Sequence, residues 1–147
     1  MKKSEITLKC HKIMAGYGEG EALVSKEPIC FYLTDPKTGR VRERGHELEG
    51  KTISNKVLVF SSGKASSVVQ IDGLFKLALN NVAPKAMIAK DVETVLVVSA
   101  VIAKVALVDR LEKDPFSVIH TGDYVKVDAD NGIVTVTKSK GQSRRDK

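Results

Sequence analysis

The four residues Val57-Leu58-Val59-Phe60 run directly into Ser61-Ser62-Gly63-Lys64-Ala65-Ser66-Ser67, and an apolar pattern at helical spacing (Val68, Ile71, Leu74, Phe75, Ala78) begins at once. A short apolar run without alternation reads as a buried strand, and the pattern behind it as the start of a helix. This strand, tight loop and helix commit the chain to a mixed fold with a helix laid against a sheet. Loops of this kind also aim backbone N–H groups and the positive end of a helix dipole at one spot, which attracts anions. A small acidic ligand is therefore expected here before anywhere else in the sequence.

Strands dominate on either side. Ile6, Leu8 and Cys10 alternate with Thr7, Lys9 and His11, a period-2 strand. Gly16-Tyr17-Gly18-Glu19-Gly20 is expected to break it as a turn or bulge. No helical pattern follows these glycines, so they are not a nucleotide loop. Further strands are expected over 21–25 and 28–32. Asp35-Pro36-Lys37-Thr38-Gly39 has turn chemistry, and the charged stretch from Leu33 to Lys51 is either functional or a solvated excursion. Asn80-Asn81-Val82-Ala83-Pro84 stops the central helix, and a strand is expected over 85–90. Asp91 is a candidate cap for the apolar segment 92–103. The β-branched residues of that segment favour a strand, but its length and small residues favour a buried helix, which is the expectation. Strand 105–108 and a helical turn or two over 114–119 follow. Tyr124–Asp128 and Ile133–Thr137 form a hairpin around Asn131-Gly132.

A chain of 147 residues is one domain by size. Its net charge of +6 is concentrated at the ends, in Met1-Lys2-Lys3 and in Lys138–Lys147. Residues 1–138 are assigned to the domain and 139–147 to a basic, solvated tail. With no Trp and few other aromatics, the chain lacks the stacking platforms of single-strand nucleic-acid binders. Neither a signal peptide nor an apolar run of membrane-spanning length is present, so the expectation is a cytoplasmic protein without nucleic-acid or membrane partners. Cys10 and Cys30 match no zinc or redox spacing and are expected as free thiols on strands. His11, His46 and His120 lie in unrelated segments, so no metal site is expected from this chain; Asp35 and His46 could meet across the long loop.

Ser66 and Ser67 carry two meanings. As N-caps they would satisfy orphan amides at the helix start. A serine acts as a base only where its deprotonated form is stabilised, and helix-end amides plus Lys64 could do that. The residues alone leave both open. Gly63-Lys64 lacks the upstream glycine of a Walker loop, which argues against a nucleotide.

Gly18-Glu19-Gly20-Glu21-Ala22-Leu23-Val24-Ser25-Lys26-Glu27-Pro28-Ile29, Asp35-Pro36-Lys37-Thr38-Gly39, the 57–67 stretch, Asn81-Val82-Ala83-Pro84-Lys85-Ala86 and Thr121-Gly122-Asp123-Tyr124-Val125-Lys126-Val127 occur in that order. Together they resemble the small subunit of the aconitase X family, most of all its phosphomevalonate-dehydrating branch. The resemblance implies an α+β, strand-rich fold: an aconitase-like swivelling β/β/α domain with a β-barrel-like sheet, flanking helices and a C-terminal hairpin. It implies a hydro-lyase subunit that helps convert (R)-5-phosphomevalonate to trans-anhydromevalonate 5-phosphate in the archaeal-type mevalonate route to isoprenoids. The expected partner is a large subunit carrying a [4Fe-4S] cluster on its own cysteines, with no cofactor in this chain. Ser66 would be the proton acceptor, and Ser62, Gly63, Lys64 and Ser67 would hold the anionic groups of a small phosphorylated or carboxylated substrate. The alternatives are another aconitase X dehydratase, of the cis-3-hydroxy-L-proline type, or a non-catalytic anion-binding module. The sequence departs from the family pattern at Ser61 (usually proline), Ala65 and Ser99 (glycine), and Leu33-Thr34 (a glycine pair). An apolar or mixed patch beside the 61–67 loop is expected where the large subunit would dock.

Overall fold

The computed structural model describes residues 4–64 and 67–139, with the backbone alone for Ser67. Among these residues the chain forms β1 (Glu5–Lys9), β2 (His11–Met14), β3 (Tyr17–Val24), a 3-10 turn (Phe31–Leu33), β4 (Val57–Phe60), α1 (Ser67–Leu79), β5 (Ala86–Ala89), α2 (Thr94–Ala103), β6 (Ala106–Asp109), α3 (Pro115–Val118), β7 (Tyr124–Asp128) and β8 (Ile133–Thr137). The strands make one sheet in the order β1-β8-β7-β3-β4-β5-β6-β2. Strands β3 to β6 run parallel, with α1 joining β4 to β5 and α2 joining β5 to β6, and the remaining pairings are antiparallel. The two end strands, β1 and β2, are consecutive in the chain. The sheet thus wraps toward a barrel, but no ladder closes it.

Alternation along the parallel strands explains why all four residues of β4 are buried. Leu58 and Phe60 pack with Leu74 and Leu77 of α1 and Leu96 and Ala100 of α2. Val57 and Val59 face the other way, against Leu8, Val125, Val127, Val134 and Val136 of the antiparallel strands. The layered fold follows from two cores that share one sheet, and each large aliphatic side chain sunk in them contributes about 1.5–3 kcal/mol.

The 92–103 segment is a helix, as expected. Glu93, not Asp91, is its cap: the Glu93 carboxylate accepts from the N–H groups of Val95 and Leu96, and Lys104 closes the helix in the left-handed region at φ 60°. Ser99 and Ala100 are fully buried while Val101 and Ile102 are half-exposed. Small residues on the inner side let α2 approach its neighbours, and this outweighs the strand preference of its valines.

Several expectations fail for identifiable reasons. Gly18 and Gly20 lie inside β3 and do not interrupt it. A Cβ at Gly18 would come 2.1 Å from the Lys85 carbonyl oxygen, and one at Gly20 would come 2.9 Å from that of Asn55. These glycines admit a crossing backbone, which spelling alone cannot distinguish from a turn. Residues 31–33 form a 3-10 turn instead of a strand, and Cys30 stands at its entry. Cys10 lies on the link between β1 and β2. Lys138, the first of the basic C-terminal residues and the last of the assigned domain, is buried: its Nζ lies 3.0 Å from the fully buried Asp123 carboxylate and 3.1 Å from His120 Nδ1. The N–H of Ser139 also donates to Asp123, so the end of β8 is tied to the turn before β7. The rest of the proposed tail, from Lys140 on, lies outside the described residues.

Candidate functional site

The parallel strands β3, β4 and β5 all point their carboxyl ends to one edge of the sheet. In open α/β arrangements that edge is where ligands bind. It carries Ser25-Lys26-Glu27 after β3, Ser61-Ser62-Gly63-Lys64 after β4, and Lys90-Asp91 after β5.

The 61–64 loop is held on several sides. Ser61 accepts from the N–H of Asp91 and Ser62 from that of Ile29, while the Lys64 N–H donates to the Ile29 carbonyl, so Gly63 bridges Ile29 as a single parallel rung. The fully buried Gln70, on the first turns of α1, donates its amide Nε2 to the same Ile29 carbonyl and accepts the Phe31 N–H, both at 2.9 Å. Gly63 sits between this amide and the Glu93 carboxylate; a Cβ there would come 2.8 Å from Gln70 Nε2 and 3.1 Å from Glu93 Oε1. A side chain at 63 would push apart the groups that anchor α1 and α2, which gives the glycine a physical reason. Because Glu93 caps α2, its N-terminal amides are already satisfied.

Of the site residues expected from sequence, Ser62, Gly63 and Lys64 are together on this loop, Ser62 and Gly63 half-buried and Lys64 exposed. Ser66 and the side chain of Ser67 lie outside the described residues. The Lys64 ammonium is in contact with Glu43 Oε2 at 2.5 Å. That hydrogen bond and its charge raise the Lys64 pKa, so the ammonium stays protonated. Lys90 pairs with Asp114 at 3.2 Å and lies 5.8 Å from the centre of the Phe116 ring. Asp114 is held below the usual carboxylate range first by the Phe116 N–H and then by Lys90. Ser61, the position where the resemblance leads one to expect proline, has a buried hydroxyl with no hydrogen-bond partner among the described residues.

The long charged stretch is neither loose nor merely solvated. Val41, Leu48 and Ile53 bury into the core under α1. His46 is also buried, its Nε2 2.9 Å from the Pro28 carbonyl and its Nδ1 accepting the Leu48 N–H, which fixes the orientation of the ring. Asp35 pairs with Arg42 and not with His46. Glu47 binds the Ser25 hydroxyl and the N–H groups of Lys26 and Glu27, which lowers its pKa despite burial. Sequence reasoning missed Glu43, Gln70 and Glu93. Gln70 alone left a trace, as a polar residue within the apolar helix pattern.

The thiols do not fit an iron–sulfur site. Cys10 and Cys30 stand on separate segments, and a cubane cluster takes three or four sulfur ligands. Burial, and then Asp109 and Asp128, push the Cys10 thiol up to about 11, away from the thiolate a metal needs. Among the described residues no group of three His, Cys, Asp or Glu side chains could hold a metal ion. No helix among them is long and apolar enough to cross a membrane.

Tyr32 and Leu33 of the 3-10 turn and Val68, Phe75 and Leu79 of α1 are exposed apolar side chains. The three on α1 recur at helical spacing, so they share one face of the helix.

The family profile described as "Aconitase X swivel domain" matches residues 7–136. A protein of Methanococcoides burtonii named phosphomevalonate dehydratase small subunit is 45% identical over 130 residues, covering 88% of this chain and 94% of that one. A Methanosarcina acetivorans protein of the same name is 43% identical, covering 92% and 94%. The crystal structure of Thermococcus kodakaraensis aconitase X in its holo form superposes with a TM-score of 0.82 at 38% identity, covering 90% of this chain and 99% of that chain.

Proposed function

This chain belongs to the aconitase X swivel domain family, and from that membership we propose that it is the small subunit of a two-subunit hydro-lyase that dehydrates (R)-5-phosphomevalonate to trans-anhydromevalonate 5-phosphate. The observation that carries the proposal is the near full-length match to small subunits of that dehydratase, at 45% identity in one relative.

The reaction removes a proton from the carbon next to the substrate carboxylate and a hydroxyl from the carbon beyond it. It needs a base on carbon and an acid on oxygen. In this reading Ser66 takes the proton, stabilised as an alkoxide by Lys64 and the N-terminal amides of α1. Ser62, Gly63, Lys64 and Ser67 hold the anionic groups. The loop is held by hydrogen bonds to Ile29 and Asp91, with Gln70 bracing the Ile29 carbonyl, which suits a site that must place a base within reach of one carbon. The acid is assigned to the partner: this chain's two separated thiols form no ligand set, and a [4Fe-4S] cluster on the large subunit would supply Lewis acidity toward the leaving hydroxyl. The exposed face of Val68, Phe75 and Leu79 on α1 is assigned to contact with that subunit.

The test is Ser66→Ala in the purified two-subunit complex. Loss of turnover by roughly 10²–10⁴-fold with assembly intact is expected for removal of a positioned base. Wild-type rates would take Ser66 out of the mechanism. A complex that turns over cis-3-hydroxy-L-proline in preference to phosphomevalonate would move the chain to the other branch of the family.

A further inference from the structure

We propose that Glu47 is a positioning residue for the site loop: its carboxylate holds a one-residue bulge between β3 and Ile29, and that bulge sets the register in which Ile29 grips Gly63 and Lys64. The inference rests on the proposed function only in taking this loop as the part that meets substrate.

The bulge follows from the pairing. Val24 lies opposite Val59, and Ile29 lies opposite Gly63, so between the two rungs the chain advances five residues on the β3 side and four on the β4 side. The surplus residue is taken up in the bend at Lys26-Glu27. On either side of the bend the strands stay paired: the Ser25 N–H donates to the Val59 carbonyl and the Ile29 N–H to that of Ser62. A bulge re-aims the chain that follows it.

An extra residue takes backbone groups off the ladder, and each then needs a partner. The N–H groups of Lys26 and Glu27 both donate to Glu47 Oε1, at 2.7 and 3.3 Å. The Glu27 N–H is shared with the Ser25 hydroxyl oxygen, and that hydroxyl donates to the same Glu47 oxygen at 2.8 Å. Pro28 has no N–H to satisfy, and His46 Nε2 lies 2.9 Å from its carbonyl oxygen. Both N–H groups of the bulge thus converge on one carboxylate oxygen. Glu47 is delivered there by packed neighbours, since His46 and Leu48 on either side of it are buried. Desolvation raises the Glu47 pKa, and the hydrogen bonds from Ser25, Lys26 and Glu27 lower it by more, so the charged form is the one that holds the bulge.

From the bulge to the loop is one step. Ile29 is joined to the loop at both its backbone groups, its N–H donating to the Ser62 carbonyl and its carbonyl accepting the Lys64 N–H. Lys64 stands two residues before Ser66 in the sequence. A bulge that loses its acceptor can relax, and Ile29 then moves relative to Gly63. Lys26 and Glu47 lie at the surface, where water can take over the freed N–H groups. The Ser25 hydroxyl keeps the Glu27 carbonyl within 3.4 Å. Removing the carboxylate therefore loosens this rung without unfolding the domain.

Amide hydrogen exchange is followed by NMR in the full-length chain and in its Glu47→Ala and Glu47→Gln variants. Glu47→Ala should speed exchange at Ile29 and Lys64 by roughly tenfold while Val125 and Val127 of β7 stay as slow as in wild type. Glu47→Gln, which keeps an acceptor oxygen without the charge, should fall between the two. Wild-type exchange at Ile29 and Lys64 in Glu47→Ala overturns the proposal. Acceleration by the same factor at Val125 and Val127 also overturns it, because Glu47 would then support only the stability of the whole domain. In an active two-subunit complex Glu47→Ala should lower kcat by roughly tenfold, the scale of loss that small misplacements cause, and an unchanged kcat contradicts the positioning role. Exchange needs neither substrate nor partner. A complex without dehydratase activity would count against the proposed function and leave the exchange result to decide this inference.

Discussion

In the β7–β8 hairpin each pairing follows from the turn that joins the strands: Tyr124 faces Thr137 and Asp128 faces Ile133, with Gly132 in the left-handed region at φ 67°. At the carboxyl edge of the parallel strands the partners come from distant segments. Gly63 meets Ile29, Gln70 meets Ile29 and Phe31, and Lys64 meets Glu43. The hairpin is fixed by backbone ladders and a period-2 pattern, so its side chains need only be apolar on one side and polar on the other. The edge is fixed by individual polar groups, each of which must be the right residue. Structure that depends on pattern is cheap to specify and chemically mute. Structure that depends on particular side chains can bind.

The comparison is tested hardest where the antiparallel half breaks its own rule. Lys138 holds the buried Asp123 beside the hairpin. Lys138→Met should lower stability by about 3 kcal/mol, because it takes the counter-ion from a carboxylate with no exposed surface and leaves it the N–H groups of His120 and Ser139. The measurement is a urea unfolding midpoint, and adding Asp123→Asn should recover much of the loss. A negligible effect would mean that backbone pairing alone holds this half together.

Gln70→Ala probes the other region. It leaves the Phe31 N–H without its partner inside the protein and frees the loop from α1, at about 2 kcal/mol. The accompanying expectation is a weaker response of the Gly63 and Lys64 amides to inorganic phosphate, read by NMR under native conditions. Lost stability with unaltered anion binding would separate the edge's packing from its chemistry.

The smallest expected effect is at Cys10, on the link between the two end strands. Its thiol is raised from 9.0 to about 11, chiefly by burial. The unfolded chain therefore ionises first. The stability contributed by the protonated, half-buried thiol is fully present below about pH 9 and is lost as pH rises through about 11. Comparing wild type with Cys10→Ala across that window should show the wild type losing stability more steeply. Parallel curves would place Cys10 in contact with water.

What was legible in the sequence divides along the same line. The hairpin, the buried strand β4, the helix behind it and the turn that ends that helix depend on periodicity and turn chemistry, which are local. The site loop was legible as a location, because an apolar run that stops at small polar residues before a helix is itself a local signal. The site's supports were not. Glu43 sits in a run of charges where Arg42, Arg44, Glu47 and Glu49 look equally eligible. Only the burial of Val41 and Leu48 selects the residue that reaches Lys64. Gly18 and Gly20 were misread because a crossing carbonyl and a turn ask for the same residue.

The central claim is that this chain contributes the proton-accepting loop of a dehydratase and nothing that can activate the leaving hydroxyl. It is tested most directly by measuring formation of trans-anhydromevalonate 5-phosphate from (R)-5-phosphomevalonate in three anaerobic reactions: this chain alone, the large subunit alone, and the two combined. The account predicts product in the combined reaction and in neither of the others. Turnover by this chain alone would contradict it, because the acid would then have to lie among residues that offer none; so would turnover by the large subunit alone at the combined rate, because the base would then lie elsewhere.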